Sequence, residues 1–150
     1  MKSCFFIGHR NTPGEVMEGL RAAVEQHITE FGVTEFFVGG YGDFDHMAAR
    51  AVIAVKERHP EVRLYLLIPY HPAERPIEPP PGFDNTFYPP GMEKVPRRLA
   101  ILRANRYMID HTDHLIAYAW HAASNARELV EYARRKGIPI TNLGFDYRFQ

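Results

Sequence analysis

A glycine-rich turn between an apolar run and a helical pattern constrains the fold of this chain more than any other stretch. Three glycines lie within four residues, as Gly39-Gly40-Tyr41-Gly42. The apolar run at residues 36–38 precedes them, and apolar side chains with helical spacing follow, at Phe44, Met47, Ala48, Ala51, Val52 and Val55. This order predicts a strand, a tight turn and a helix whose unpaired amide groups and positive dipole end favour a small anion such as phosphate. The alternative is a turn whose glycines only save space.

The rest of the chain alternates between apolar runs and helical stripes in the same way. Strands are predicted at residues 4–7, 35–38, 63–68, 114–118 and 138–143, and helices at residues 16–31, 44–58, 94–110 and 125–136. Such alternation is typical of a parallel sheet with right-handed crossovers. We therefore expect one α/β domain over residues 1–150, with a three-layer Rossmann-like fold, a five-stranded parallel sheet in the order 3-2-1-4-5, and helices on both faces.

A proline-rich segment interrupts this regularity between the third strand and the third helix. Nine of the twelve prolines lie from Pro69 to Pro96, and residues 74–86 show no usable periodicity. A connection of this length is unusual inside a compact domain and is more often functional than idle. Three interpretations stay open: a lid over the binding site, an arm that contacts a second subunit, and a surface excursion.

The charge and cysteine content limit the expected partners and location. Lysine plus arginine equals aspartate plus glutamate, at 18 each, so no overall field draws the chain to nucleic acid or to anionic lipid. The single cysteine, Cys4, cannot form a disulfide within the chain and suits a reducing compartment. We see no signal-peptide pattern and no apolar run that could span a bilayer. We therefore expect a cytoplasmic protein without a nucleic-acid or membrane partner.

The predicted topology brings four loops together at one edge of the sheet. Open α/β sheets bind ligands outside the carboxyl ends of their strands, where the strand order reverses. The loops that end there are residues 8–10, 39–45, 70–71 and 120–125. Arg10 follows the first strand by two residues, and its planar guanidinium suits a bidentate contact with phosphate. The alternative is that Arg10 is an ordinary surface arginine.

Two acidic residues stand at the start of the second helix. We expect Asp43 to be its N-cap, which places Asp45 in the first turn. Acidic groups stabilise that turn for structural reasons alone. A carboxylate beside an anion site also holds sugar hydroxyls, or stabilises positive charge that develops at a ribose anomeric carbon. Both roles stay open for Asp45.

Three histidines, His9, His46 and His71, belong to loops or turns at the same edge. Three imidazoles would suit zinc, but their spacing in the sequence matches no metal motif. We therefore expect no metal site and no cofactor. Aromatic rings at Tyr41, Phe44, Tyr70 and Tyr88 offer flat faces for a purine, or alternatively form part of the core.

The predicted third helix carries two arginines one turn apart. Val95, Leu99, Leu102 and Ile109 form its apolar side, and Arg103 and Arg106 lie on a neighbouring stripe with Asp110. The two arginines either converge on one anion or form a solvated face. The fourth helix is expected to begin with a capping box from Asn125 to Glu128 and to end at Gly137.

Four stretches together carry a resemblance to a known family. They are Cys4-Phe-Phe-Ile-Gly-His-Arg10, Phe37-Val-Gly-Gly-Tyr-Gly-Asp-Phe-Asp-His-Met-Ala-Ala49, Arg103-x-Asn105-Arg-Tyr-Met-Ile-Asp110, and Ala126 through Tyr132-Ala133 to Gly137-Ile-Pro-Ile140. The chain resembles, over almost its whole length, the SLOG superfamily of Rossmann-like proteins. This superfamily includes the DprA-type DNA-processing domain and the LOG-type cytokinin phosphoribohydrolases. The chain is most similar to its YpsA-like, DUF1273-type branch.

The resemblance implies a dimeric domain with a site for a nucleotide or nucleoside phosphate. The residues that it places in the site are Gly8, Arg10, Gly39, Gly40, Gly42, Asp45, Arg103 and Asn105. To these the sequence itself adds His9, Tyr41 and Tyr70 from the edge loops.

The chain departs from the LOG pattern at three positions. LOG enzymes carry a proline, then Gly-Gly-x-Gly, then a threonine with a glutamate three residues later. Here Val38 replaces the proline, Asp43 the threonine and His46 the glutamate, so that only Asp45 offers a carboxylate nearby. DprA-type domains act on DNA, whereas this chain lacks a basic charge balance.

Three functions from different classes follow. The leading hypothesis is a sensor in which Arg10, the glycine turn and Arg103 bind phosphate while Asp45 or Asn105 contacts ribose. The second is an enzyme that cleaves or transfers an N-glycosidic bond of a nucleoside phosphate, with Asp45 stabilising the oxocarbenium-like centre and Glu128 or His46 as acid or base. The third is a structural or adaptor dimer whose contacts come from the proline-rich segment.

Overall fold

The computed structural model describes residues 1–74 and 76–144, which form an α/β fold around one parallel sheet. The strands are β1 Lys2–Gly8, β2 Val33–Val38, β3 Arg63–Leu67, β4 Asn85–Phe87, β5 His114–Tyr118 and β6 Ile140–Asn142. The helices are α1 Val16–Thr29, α2 Asp43–Val55, α3 Ala100–His111 and α4 Asn125–Lys136, with short 3-10 helices at Met92–Lys94 and Arg97–Leu99. Residues 145–150, for which no element was predicted, lie outside the described residues.

The sheet order is β4-β3-β2-β1-β5-β6, and every neighbouring pair is parallel. The predicted Rossmann-like fold is confirmed, and the five predicted strands take the predicted order. The sixth strand, β4, was missed. It has three residues, occupies the sheet edge, and lies in the proline-rich segment where no period is visible.

The parallel pairing of β3 with β4 explains the length of the proline-rich segment. Between two parallel strands the chain must cross from the carboxyl end of the first strand back to the amino end of the second. The described residues between β3 and β4 make this return without a helix. Its end is fixed where Lys56 donates to the Gly82 carbonyl at 3.0 Å and contacts the Asp84 carboxylate at 2.6 Å. None of the three sequence interpretations included this crossover.

Two hydrophobic cores lie on opposite faces of the sheet. Cys4 and Phe6 of β1 point into the core that α1 and α2 cover, whereas Phe5 and Ile7 point into the core that α3 and α4 cover. Strand β1 is therefore buried on both faces, as a central parallel strand should be. Each fully buried phenylalanine contributes about 1.5–3 kcal/mol through removal of apolar surface from water.

The predicted helix over residues 94–110 is broken at its start. Val95 is extended at φ −89° and ψ 130°, because the residue before a proline avoids the α region. The α-helical part, α3, buries Ala100, Ala104, Met108 and Ile109. Leu102, expected on the buried side, is 36% exposed.

The starts of two helices also differ from the predictions. The N-cap of α2 is Gly42 at φ 130°, not Asp43, which is already the first helical residue. The N-cap of α4 is Ser124, whose hydroxyl accepts from the Arg127 amide at 3.1 Å. The predicted capping box therefore began one residue too late. Helix α4 ends as predicted at Gly137, whose φ is 81°.

Within residues 1–74 and 76–144, every helix is too short or too polar to cross a lipid bilayer.

Candidate functional site

A cavity of about 570 Å³ opens at the carboxyl edge of the sheet, where the strand order reverses at β1. Loops that follow β1, β2 and β3 meet the first turns of α3 and α4 there. We call it the edge pocket. Its polar lining residues are His9, Arg10, Tyr41, Asp45, Arg98, Asn105, Ser124, Asn125 and Glu128. Its apolar lining includes Phe6, Ile7, Leu67, Pro69, Ile101 and Leu102.

The structure brings most of the sequence-derived candidates together in this pocket. Those that line it are Gly8, His9, Arg10, Gly39, Tyr41, Asp45, Asn105 and Glu128. The candidates that do not line it are Gly40, Gly42, His46, Tyr70 and Arg103. The two arginines of the lining, Arg10 and Arg98, are exposed, and neither forms an ion pair within the described residues.

Two of the candidate glycines permit close packing between β1 and α2. A Cβ at Gly8 would overlap the ring of Phe44, which is fully buried. At Gly42, a Cβ would lie 2.7 Å from the Cα of Arg10, and the backbone has a positive φ of 130°. A side chain is excluded at both positions, because the chain itself fills the space.

The chain itself occupies one amide group of the glycine turn and one at the start of α2. The Asp45 carboxylate accepts from the Tyr41 amide at 3.0 Å and lies 3.0 Å from the position of a Cβ at Gly39. The Asp43 amide donates to the Arg10 carbonyl at 2.8 Å, and the Asp43 carboxylate accepts from the Thr12 amide at 3.3 Å. A phosphate at this turn would face a carboxylate of the protein.

Asp45 is the most perturbed acid of the pocket. Burial raises its pKa from 3.8 to about 6, while the hydrogen bond from the Tyr41 amide and the nearby His46 act in the opposite direction. A carboxyl with such a pKa exchanges a proton near neutral pH, which is the property of a general acid or base. Asp45 is the third residue of α2 rather than its N-cap, and the bond that its carboxylate makes is with the Tyr41 amide just before the helix.

His9 is held in one neutral form. Its Nε2 accepts from the backbone amides of Trp120 at 3.1 Å and His121 at 3.3 Å, so Nε2 carries no proton and Nδ1 does. Burial, and secondarily His121, lower the pKa of His9 below its usual 6.5. The ring meets Tyr118 and Trp120 edge-on, with centroids 5.5 and 5.7 Å away.

Arg98 was not among the sequence candidates, although a signal for it exists. Arg98, Leu102 and Asn105 are spaced i, i+4 and i+7, and all three line the pocket. Arg103 lies instead in a shallower depression of about 370 Å³ on the outer side of α3. There Arg106 stacks its guanidinium 5.1 Å from the centre of the Tyr132 ring. Residues two positions apart on a helix do not share a face, so Arg103 and Asn105 cannot both face one ligand.

The remaining aromatic and histidine candidates have other surroundings. Phe44 is core, and Tyr70 carries the Arg97 guanidinium 4.5 Å from its ring centre. His71 lies edge-on to Tyr88 at 5.4 Å. Across the described ranges, no three histidine, cysteine, aspartate or glutamate side chains are grouped so that they could hold a metal ion.

Comparison with models of known protein families gives no match, and a search of curated proteins finds no relative of this chain.

Proposed function

We propose that this chain is a SLOG-like domain that binds a nucleotide or nucleoside phosphate in the edge pocket and acts as a sensor. The observation that carries the proposal is the pocket itself. It lies at the strand reversal of a Rossmann-like sheet and measures about 570 Å³. It combines an apolar floor with two arginines that form no ion pair with any residue in 1–74 or 76–144. Pockets of this size and polarity suit small organic ligands.

The charges suggest how such a ligand would lie. Arg10 and Arg98 are the cationic groups of the lining and would hold the phosphate. The apolar floor formed by Phe6, Ile7 and Leu67 would lie under the base, while Asn105 offers both a donor and an acceptor. This arrangement replaces Arg103 of the sequence hypothesis by Arg98.

Binding of nucleoside mono-, di- and triphosphates, measured by thermal shift and calorimetry, tests this proposal. Removing a charge-assisted contact should weaken binding about tenfold or more in Arg10→Ala and Arg98→Ala. The matched control is Arg103→Ala, which removes the same charge outside the pocket and should leave the Kd within about twofold. If no nucleotide binds, or if all three variants weaken binding equally, the proposed site is wrong.

A second candidate is cleavage or transfer of the N-glycosidic bond of a nucleoside phosphate. It is favoured by the pKa of about 6 that burial gives Asp45 in the pocket wall. The Asp45 carboxylate would stabilise positive charge at the anomeric carbon as the bond to the base breaks. Glu128 would protonate the leaving base or accept a proton from the attacking water. His46, the other candidate acid or base, is exposed on α2 and does not line the pocket.

Release of free base from nucleoside monophosphates, followed by chromatography, separates the enzyme from the sensor. The enzyme proposal predicts that Asp45→Asn abolishes release while the ligand-induced thermal shift persists. A thermal shift without release by the wild-type protein would support the sensor.

We further propose, from the resemblance to SLOG proteins, that the chain forms a homodimer in the cytoplasm. Cys4 is fully buried, and burial raises the pKa of its thiol, so the thiol stays protonated and unreactive. Light scattering over a range of protein concentrations tests the dimer.

A further inference from the structure

The β5–α4 loop, residues 119–124, leads from β5 to the N-cap of α4, and its last residue, Ser124, lines the edge pocket. Its side toward β1 is held by the His9 ring, whose Nε2 accepts from the amides of Trp120 and His121. The His9 amide in turn donates to the Tyr118 carbonyl at 3.3 Å. His9, the residue after β1, thus makes three hydrogen bonds to this region, one to the end of β5 and two to the loop.

The rest of the loop is held in other ways. Asn142 accepts from the Ala119 amide at 3.1 Å, and Arg127 contacts the Ala119 carbonyl at 3.4 Å. The Ser124 hydroxyl donates to the His121 carbonyl at 2.7 Å, within the loop. In the part of the chain that the structure describes, no group other than His9 accepts from the Trp120 and His121 amides.

The chemistry of imidazole makes this attachment conditional. A ring nitrogen accepts a hydrogen bond only while it carries no proton. Protonation of His9 would place an N–H group opposite two backbone N–H groups that already point at it. The attachment would then become a repulsion, and the two amides would need solvent as their partner.

We propose that His9 is a pH-sensitive latch: a positioning residue whose neutral ring holds the β5–α4 loop beside the edge pocket and whose protonation releases it. Because Ser124 and Asn125 line the pocket at the end of this loop, release would also displace the first turn of α4 from the ligand. This last step rests on the proposed function. The latch itself does not.

The surrounding charges determine where the latch operates. Tyr118 and His121, from β5 and its loop, contact or act on the His9 ring, and Arg10 follows it in the chain. The other charged groups of the same pocket are Asp45 from α2, Arg98 before α3, and Glu128 from α4. Burial and His121 lower the pKa of His9, so the ring is neutral at pH 7. Release should therefore occur below pH 6.5, the ordinary value for histidine. Asp45 titrates near pH 6 and must be controlled for.

The only tryptophan of the sequence reports directly on the latch. Trp120 lies in the loop, is 48% exposed, and has its ring centre 5.7 Å from that of His9. On titration of the ligand-free protein from about pH 8 to pH 5, its fluorescence should show a transition below pH 6.5. In the same range, NMR should show the Trp120 and His121 amide protons losing their protection from exchange.

Two variants of His9 make the assignment specific. His9→Gln keeps an acceptor oxygen near the Nε2 position and cannot titrate, so it should hold the neutral-pH emission over the whole range. His9→Phe keeps a ring against Tyr118 and Trp120 without an acceptor, so it should show the acid-form emission at every pH. Circular dichroism checks that both variants are folded.

Two further variants remove the competing titrations. His121→Asn and Asp45→Asn should both retain the fluorescence transition of the wild-type protein. If the transition persists in His9→Gln, or if it disappears in Asp45→Asn or His121→Asn, the latch is wrong.

Ligand binding separates failure of the latch from failure of the proposed function. Titration with AMP at about pH 7.5 and pH 5.5 should show wild-type affinity falling about tenfold more than that of His9→Gln. The quantity to compare is the ratio of the Kd at about pH 5.5 to the Kd at about pH 7.5 in each protein. Titration of the AMP phosphate and of Asp45 affects this ratio in both proteins alike and so does not contribute to the difference between them. If the fluorescence transition depends on His9 but the two proteins lose affinity for AMP equally, the link between the latch and the pocket is wrong. Absence of AMP binding at either pH would count against AMP as ligand, and the fluorescence would still decide the latch.

Discussion

The first turns of two helices flank the edge pocket, and they use their amide groups differently. At α2, the Tyr41 amide donates to the Asp45 carboxylate, and the Asp43 amide donates to a carbonyl. At α4, the Ser124 hydroxyl caps the turn, while the amides of Asn125 and Ala126 have no partner in the described part of the chain. The Phe44 and Asp45 amides of α2 likewise have no partner in the described part of the chain, so the two turns differ in the carboxylate and not in the number of free amides. We call the α2 side, where the Asp45 carboxylate occupies the glycine turn, the closed side, and the α4 side the open side.

The difference shows what a glycine-rich turn does and does not indicate. Such a turn provides amide groups and space, and any carboxylate of the chain that can reach them competes with a ligand. Here the residue four positions after Tyr41 is an aspartate, and it reaches back to the turn. The α4 turn has no glycine, yet its first two amides have no partner in the described part of the chain. The carboxylate that occupies the glycine turn, rather than the glycine content, distinguishes the two sides.

The largest expected effect is a loss of stability on the closed side, where Gly8 packs against Phe44 of α2. Gly8→Ala places a Cβ within the volume of the Phe44 ring, which is fully buried and cannot move without opening the core. We expect a loss of about 2–3 kcal/mol in the free energy of unfolding, as in other overpacked cores. Urea denaturation measures it. Gly14→Ala is the matched control: nothing lies within 4 Å of its added Cβ, so its stability should change by less than about 0.5 kcal/mol.

A smaller effect follows from the buried carboxylate at the closed side. Because burial raises the folded-state pKa of Asp45 from 3.8 to about 6, the ionised side chain is a cost to folding. The contribution of Asp45 is most favourable below pH 3.8 and is lost as the pH rises through about 6. Asp45→Asn, which keeps an acceptor for the Tyr41 amide, should therefore stabilise the protein by about 1–3 kcal/mol at pH 7.5.

The pH dependence of that gain is its check. Denaturant unfolding of wild type and Asp45→Asn at about pH 4 should give nearly equal stabilities, since Asp45 is then protonated in the folded protein. A gain that is the same at both pH values would mean that the effect comes from packing and not from the charge.

Substitution at the helix cap on the open side should change the free energy of unfolding less. Ser124→Ala removes the hydroxyl that accepts from the Arg127 amide and should destabilise the protein by about 1 kcal/mol, the usual cost of losing a side-chain cap. At α2, where Gly42 caps without a side chain, Asp43→Ala removes only a 3.3 Å bond from Thr12 and should cost less. If Asp43→Ala loses more stability than Ser124→Ala, then a side chain contributes more to the start of α2 than to the start of α4, contrary to this prediction.

Periodicity was sufficient for the fold. The stripe from Phe44 to Val55 packs against the sheet as the buried side of α2, and the run at residues 4–7 lies in the central strand β1. Periodicity failed at β4, because a strand of three residues is too short to show a period. It also failed at the start of α3, where Pro96 interrupts the helical pattern that surrounds it.

The site could be predicted only to the level of the loops. Chain order places Arg10 and Asp45 at one sheet edge, the family resemblance adds Asn105, and all three line one pocket. What chain order does not contain is which group satisfies which amide, and so Asp45 was assigned to a cap or a ligand rather than to the Tyr41 amide. The sequence already contained the reason to leave Arg103 out of the site, because its spacing from Asn105 puts the two residues on different faces of α3.

The smallest expected effect, that of Gly40→Ala, tests which of the two sides binds the phosphate. Gly40 belongs to the glycine turn, but its φ is not positive, and a Cβ there would meet only Leu66 Cδ1 at 3.7 Å. Gly40→Ala should therefore change stability by less than about 0.5 kcal/mol. If phosphate is held by Arg10, Arg98 and the open side, the Kd for AMP should also stay within about twofold. A glycine turn that cradled phosphate through Gly40 would instead be obstructed by the new methyl group, because such cradles depend on close approach of the bare backbone. A folded Gly40→Ala protein that has lost AMP binding, beside an Arg98→Ala protein that retains it, would return the phosphate to the closed side and place Asp45 as the group that must move to admit it.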